Sequence, residues 1–394
     1  MASAPSDLDV WVEKPLGELL VVQNGHAFSS KKFSTTEGIP LIRIRDLNPG
    51  TGTKTNFQGE FDPQFLVNRG DLLIGMDGEF RCNIWNGPEA LLNQRVCRLQ
   101  NFSEKLFPKF LFYGINKYLK EIEDVTGFTT VKHLSSKSIK AITFPIPPLS
   151  EQERIVGILD EAFEGIAAAT AQAEKNLHNA RELFQSVLQS TFSQKGDDWV
   201  ETTLEKACTF KGGGTPSKKE PNYWNGKIPW VSPKDMKVKH VSNSMDKITD
   251  VALNNSSASL LPEGAILIVV RSGILARTIP LGIAACSLTV NQDLKALCPK
   301  DNLATEFLYY FLKANEPHLL SLVSRGATVH RIQSEFLKNL TIPVPPLSTQ
   351  QSIVKKLDAL SEETKRLEAI YERKQAALSE LNQSLLQKAF AGEL

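Results

Sequence analysis

Residues 142 to 192 recur without a gap 198 positions later, so that Ile142-Thr143-Phe144-Pro145-Ile146-Pro147-Pro148-Leu149-Ser150 returns as Leu340-Thr341-Ile342-Pro343-Val344-Pro345-Pro346-Leu347-Ser348. The register holds through Ile155/Ile353, Val156/Val354, Leu159/Leu357, Asp160/Asp358, Leu183/Leu381 and Phe192/Phe390, which chance does not maintain over such a length. A repeat of this kind constrains the fold before any element is assigned, because each copy must be one structural unit and the architecture must use it twice. A chain built as two copies of one module suits a ligand that also has two parts.

Each copy predicts a long helix. Ser150-Glu151-Gln152-Glu153 and Ser348-Thr349-Gln350-Gln351 read as Ser-x-x-Glu/Gln capping boxes, each following a Pro-Pro that no helix interior tolerates. Apolar residues then recur in steps of four and three: Ile155, Leu159, Ala162, Ile166, Ala169, Ala173, Ala180, Leu183 and Val187 in the first copy. The second copy gives Ile353, Leu357, Leu360, Thr364, Leu367, Tyr371, Leu378, Leu381 and Leu385. That is a coiled-coil seam, and some 42 residues at about 1.5 Å each make a rod on the order of 60 Å. Small residues in one seam (Ala162, Ala169, Ala173, Ala180) match large ones in the other (Leu360, Leu367, Tyr371, Leu378), which favours pairing within the chain. A polar seam position, Asn176 and Lys374, fits a register-setting role. With a globule between the helices an antiparallel pair is the natural arrangement; parallel pairing, or pairing with another chain, stays open.

The segments before the helices also match. Trp11-Val12-Glu13 parallels Trp199-Val200-Glu201, Ile39-Pro40 parallels Ile228-Pro229, Gly70 to Ile74 parallels Gly264 to Ile268, and Asn93-Gln94 parallels Asn291-Gln292. Short β-rich runs broken by Gly and Pro, with helical stretches such as 108 to 120, read as α+β. The expected organisation is therefore two pseudo-twofold-related α/β globules, 1–149 and 197–347, separated by two long helices, 150–196 and 348–394, pairing as an antiparallel coiled coil. With 394 residues and 41% hydrophobic content each half can bury a core of its own.

Composition narrows the function. The longest apolar run, 265 to 270, is too short to cross a membrane, and no basic region followed by an apolar stretch opens the chain, so a soluble cytoplasmic protein with no membrane partner is expected. Five cysteines without a Cys-x-x-Cys pair argue against a disulfide framework or zinc site. The net charge of +1 says little, but 211 to 240 carries seven lysines against Glu220 and Asp235. Such a stripe fits phosphate neutralisation and equally a solvated loop face. Lys211-Gly212-Gly213-Gly214-Thr215-Pro216-Ser217-Lys218-Lys219 lacks the Gly-Lys-Ser/Thr ending of a nucleotide-binding loop; its amides could face a DNA phosphate with Thr215, Ser217 and the lysines assisting, or it is a tight structural turn. In a strand expected over 41–46, alternation puts Arg43 and Arg45 on the face opposite Ile42 and Ile44, and the second copy has Ser232 and Lys234 there. Lys132 and His133 become His330 and Arg331, while Arg81 and Arg271/Arg277 lie near the Gly78 and Gly273 turns. Asp77-Gly78-Glu79-Phe80-Arg81 has two acids but no following lysine for a nuclease, no methyltransferase motif or Ser-His-Asp set is present, and His26, His178 and His318 read as structural.

Pro145 to Gln152 and again Pro343 to Gln350 lead into long helices, and the chain closes on Gln387-Lys388-Ala389-Phe390-Ala391-Gly392-Glu393-Leu394. In these segments, and in the order of its parts over almost the whole chain, the sequence resembles the DNA specificity subunits of type I restriction-modification systems. The resemblance implies two target recognition domains, each reading half of a bipartite, asymmetric site in double-stranded DNA, with the paired helices as ruler. It implies a non-catalytic subunit that binds two methyltransferase subunits and, through them, two restriction subunits. S-adenosylmethionine, ATP and Mg2+ would belong to those partners. Base-reading residues vary within the family, so the contacts rest on charge and alternation alone. Arg43, Arg45, Lys234, Arg271 and Arg331 are the candidates for base edges, and Lys54, Lys132, Lys211, Lys218 and Lys219 for phosphates. Arg81, Arg277, His330, Thr215 and Ser217 complete the set, and the outer helix faces, with Arg154, Lys355 and Lys356, are expected to dock methyltransferase helices. A specificity subunit of a system with fused methylation and cleavage, or a coiled-coil adaptor for protein or RNA, would carry the same repeat.

Overall fold

A computed structural model describes residues 11–48, 50–126, 133–194, 196–326 and 329–394. The chain divides into two compact units, Met1–Gln172 with Lys374–Leu394, and Ala173–Arg373. Four helices organise them: α1 (Pro108–Val125), α2 (Leu149–Ser193), α3 (Thr305–Ala314) and α4 (Leu347–Ala391). Each long helix contributes its first part to one unit and its last part to the other.

In the first unit a four-stranded antiparallel sheet runs in the order Val21–Asn24, Val96–Gln100, Leu72–Gly75, Cys82–Ile84. A second sheet is built on Ile39–Ile42 and Ala90–Leu92, which pair in parallel. The second unit repeats the plan: Cys208–Gly212, Leu294–Pro299, Ile266–Val269, Leu281–Ala284 and His240–Val241 form one sheet, and Trp224–Val231 pairs in parallel with Thr289–Val290 in another. The repeated Pro-rich segments are strands. Thr143–Ile146 pairs antiparallel with Val12–Pro15, and Thr341–Val344 with Val200–Thr203, so the entry and exit of each globule are joined. The proline in each, Pro145 and Pro343, sits on a two-stranded ribbon, where a missing N–H is tolerated.

Both long helices begin one residue before the expected serine caps, and the carbonyls of Pro148 and Pro346 accept the amides of Gln152 and Gln350 at 3.0 Å. Each helix is then held by aromatic packing of one design. In the first unit Phe390 lies 4.9 Å from Phe110, whose ring meets Trp11 edge-on at 6.3 Å. A side chain at Gly114 would put Cβ 2.4 Å from the Phe390 ring, so glycine is required there. In the second unit Phe192 lies 5.3 Å from Phe307, which meets Trp199 edge-on at 6.3 Å.

The helices pair antiparallel. In the second unit Arg181 of α2 pairs with Glu368 of α4 at 2.7 Å, while further along α2 Leu188 and Phe192 share a core with the earlier residues Ile353 and Leu357. In the first unit Arg154 donates to the Leu394 carbonyl at 2.6 Å, and Ile155, Leu159 and Ala389 are buried together. Of the expected seam, Ala162, Ile166, Ile353, Leu360 and Leu367 are half-buried and Leu357 is buried. Two positions fall off it. Leu183 is 57% exposed and Leu381 47% exposed, because the buried track runs instead through Ala180, Phe184, Leu188 and Phe192, and through Leu378, Leu385 and Ala389. An undistorted helix drifts against a seven-residue repeat, and near each globule the packing face turns toward the globule's core. Lys374, at mid-helix, is exposed and is not a buried polar seam residue.

The repeated aspartates close the joint. Asp160 accepts from Lys109 Nζ at 2.5 Å and from the Tyr113 hydroxyl; Asp358 accepts from Lys239 Nζ at 2.7 Å and Tyr310 at 2.5 Å. Burial first, and the carboxylate partner second, push both tyrosines well above the ordinary phenol range. The buried thiols of Cys97 and Cys208 are pushed up to about 12 by burial, so both are un-ionised at neutral pH. No helix among the described residues is long and apolar enough to cross a membrane.

Candidate nucleic-acid interface

The expected strand carrying Arg43 and Arg45 stops at Ile42; Ile44–Asp46 is a 3-10 turn. The Asp46 carboxylate accepts the Arg43 amide at 2.9 Å, which terminates the strand, and Ile44 packs inward against the Ile42, Leu47 and Trp85 core. The two arginines therefore do not share a strand face: Arg43 is half-buried and Arg45 exposed. The second unit repeats the turn at Pro233–Asp235, where Asp235 accepts the Ser232 amide at 2.8 Å. Lys234, expected at a base edge, is paired with Asp246 at 2.8 Å.

The glycine-rich segment is shaped by its own protein. A Cβ at Gly213 would lie 1.8 Å from the Asn291 carbonyl oxygen and one at Gly214 2.2 Å from that of Ser257. Gly25 in the first unit meets Asn93 at 2.0 Å in the same way, so these glycines let a loop cross a neighbouring strand end, and the Gly214 amide donates to the Val290 carbonyl at 3.0 Å. Thr215 donates to Gln292, and Ser217 accepts the Lys219 amide at 3.3 Å and the Trp224 indole at 3.1 Å. Lys211 is half-buried in the strand Cys208–Gly212, whereas Lys218 and Lys219 are exposed beyond it. Lys54 and Arg277 are exposed, and Arg81, also exposed, lines a cleft with Lys117 and Lys120 of α1. Lys132 lies outside the described residues.

The structure brings together a set that charge and alternation did not. Met76 donates to the Arg95 carbonyl at 2.8 Å, as Val270 does to Asp293, and Leu134 donates to Met76 at 2.7 Å, as Ile332 does to Val270 at 2.9 Å. These bonds superimpose Asp77 on Arg271, Arg95 on Asp293, and His133 on Arg331. In the first unit the Asp77 carboxylate, 13% exposed, takes Arg95 Nη1 at 3.0 Å and His133 Nδ1 at 2.7 Å, leaving both partners largely in solvent at 65% and 60%. In the second unit the charges are exchanged: Arg271 Nε lies 3.6 Å from Asp293, and Arg331 stands directly opposite Arg271 across the ribbon Arg271–Ser272/His330–Arg331. His330 is half-buried, and its Nδ1 is buried without a hydrogen-bond partner among the described residues. The acid of the rejected nuclease motif is thus an ion-pair anchor. Among the described residues no group of three or more His, Cys, Asp or Glu is placed to hold a metal ion.

Two copies of one α+β globule, each clamped to a long helix and each varying the polar groups on a shared backbone frame, define a tandem recognition protein. The chain belongs to the family of the type I restriction modification DNA specificity domain, whose model matches residues 9–177 and again 196–375. It is 33% identical to the type I restriction enzyme EcoR124I/EcoR124II specificity subunit of Escherichia coli over 87% of this chain and 85% of that protein. It is 28% identical to the EcoBI specificity subunit of Escherichia coli over 98% of this chain and 86% of that one. Its fold matches a chain from a structural study of assembly and conformational transition in a type I R-M system, with a TM-score of 0.76 at 22% identity, over 99% of this chain and all of the other.

Proposed function

We propose that this protein is the non-catalytic, DNA-reading subunit of a type I restriction-modification complex, each globule recognising one half of a bipartite, asymmetric site. The observation that carries the reading is the pairing of a common frame with exchanged polar groups at matched positions, Asp77/Arg271 and Arg95/Asp293. A shared scaffold with unlike side chains is what two readers of unlike half-sites need. On this reading two methyltransferase subunits dock on the helices, two restriction subunits join through them, and S-adenosylmethionine, ATP and Mg2+ are bound by those partners. The outer faces of α2 and α4, with Lys355 and Lys356 exposed, are the docking candidates; Arg154 is engaged by Glu151 at 2.7 Å and by the Leu394 carbonyl, and serves the joint instead. The complex works in the cytoplasm. Co-expression with the methyltransferase subunit of its own operon, followed by mapping of modified adenines, tests the proposal. Two short, unlike half-sites at a fixed spacing are expected; an assembled complex that modifies no defined motif would refute it.

A further inference from the structure

We propose that Arg95 and Arg271 are base-reading residues, each taking the major-groove edge of a guanine, and that the carboxylates of Asp77 and Asp293 position them. The inference rests on the proposed DNA-reading function and names the residues that deliver it. A guanidinium has five N–H donors in a planar fork. Asp77 engages Arg95 through Nη1 alone, and Asp293 lies nearest Arg271 at Nε, so in each unit a further edge of the fork projects from a group that is about half exposed or more. Guanine O6 and N7 accept such an edge in bidentate fashion; a lysine can also reach them, but it lacks the planar fork that holds a carboxylate on one edge and a base on another.

Two observations mark these as sites rather than ordinary surface pairs. Arg95 holds φ at 70°, a region where the other two non-glycine residues of the described chain are asparagines, Asn101 and Asn225. A long side chain is thus kept where Gly or Asn would be less strained. In the second unit Arg271 and Arg331 are direct cross-strand partners, and the carboxylate beside them, Asp293 at 3.6 Å from Arg271, balances only one of the two like charges. The exchange of acid and base moves the reading arginine from the turn after Asn93-Gln94 in one unit to the first residue of the ribbon strand Arg271–Ser272 in the other. Each half-site guanine is therefore met from a different backbone position, which makes the two half-sites unlike without altering the frame.

The test uses the complex with its methyltransferase subunits and reads the modified motif for wild type, Arg95→Ala, Arg95→Lys and Arg271→Ala. Arg95→Ala should cost roughly 10- to 100-fold in discrimination at one specified G·C pair of one half-site, leaving the other half-site intact. Arg271→Ala should do the converse, and Arg95→Lys should not restore the lost position. Asp77→Asn, which keeps shape but removes the anchoring charge, should relax the same position as Arg95→Ala. A wild-type split motif that all these variants retain would overturn the assignment while leaving the DNA-reading function standing. So would a uniform loss of affinity for every sequence, with a salt dependence shallower by about one unit, the mark of a phosphate contact. No motif from the wild-type complex would overturn both. Because Arg95 is largely exposed, its variants are expected to melt with the wild type; the double exchange Asp77→Arg/Arg95→Asp, which adopts the second unit's order, should also fold and shift the specified position. Retention of the original position by that folded double variant would refute the assignment.

Discussion

Gln152 and Gln350, 198 positions apart, are both fully buried and make the same three hydrogen bonds. Gln152 accepts the Phe107 amide at 2.8 Å and donates to the carbonyls of Lys105 and Pro147, each at 2.8 Å. Gln350 accepts the Ala304 amide at 2.8 Å and donates to Asn302 at 2.9 Å and Pro345 at 2.8 Å. The amide thus ties the start of each long helix to the residues leading into α1 or α3, with both N–H donors and one lone pair of the oxygen used. Replacing Gln152 by Leu keeps much of the bulk but strands a buried amide and two carbonyls, a cost of roughly 1–3 kcal/mol. The midpoint of denaturant unfolding should fall accordingly, and Gln350→Leu should do the same for the second unit. A midpoint unchanged in both variants would show that water satisfies these groups.

The displaced seam gives a contrast within one helix. Leu159 is fully buried and Leu183 largely exposed, although both lie on the repeated apolar pattern. Leu159→Ala should destabilise by about 2–5 kcal/mol. Leu183→Ala should stay within about 0.5 kcal/mol of wild type. Comparable losses from the two would restore Leu183 to the helix-pairing face.

Acid should loosen the second unit at Asp358. Burial works against its charge, but Lys239 Nζ and the Tyr310 hydroxyl outweigh it and hold the carboxyl below the ordinary carboxylate range. A folded-state value lower than the unfolded one means that the unfolded chain takes up the proton first as pH falls. The stabilisation is therefore complete at neutral pH, declines once the pH drops through the unfolded carboxylate range, and is gone below the folded value. Asp358→Asn should flatten this part of the stability–pH curve and leave the rest unchanged; an identical acid limb in the variant would assign the effect elsewhere.

Much of this architecture was legible in the repeat. The serines do not cap the long helices, each of which already begins at the preceding leucine. The place where each long helix starts and the α+β globules nevertheless follow from proline positions, apolar spacing and the matched segments, and the intervening globule favours the antiparallel pairing. The arginine strand was not, because alternation over 41–46 looks the same whether or not Asp46 turns back to bind the Arg43 amide. Nor did Gly213 and Gly214 reveal that their neighbour is the protein's own carbonyl. The Asp77/Arg95 pair was visible in principle: aligned positions of opposite sign, Asp77 against Arg271 and Arg95 against Asp293, are what two copies of one contacting ion pair show when its charges are exchanged. Searching each copy for cations alone passes over that signal, since in each pair the anchoring acid is half of the information.

If the paired helices set the distance between half-sites, lengthening both should lengthen the spacer. Four residues inserted after Gln172 in α2 and four after Arg373 in α4 fall where each helix passes from one compact unit to the other. They add about 6 Å of helix, close to two base pairs at about 3.4 Å each. Inserting in both helices keeps Arg181 facing Glu368 and Arg154 facing Leu394, whereas an insertion in one alone puts one of these contacts out of register. The double insertion should thus yield a folded complex whose methylated motif keeps both half-sites and gains about two base pairs between them. The single insertion should lose stability before it changes the spacer. An unchanged spacer in a folded double variant would mean that the distance is set by the bound partners rather than by this chain.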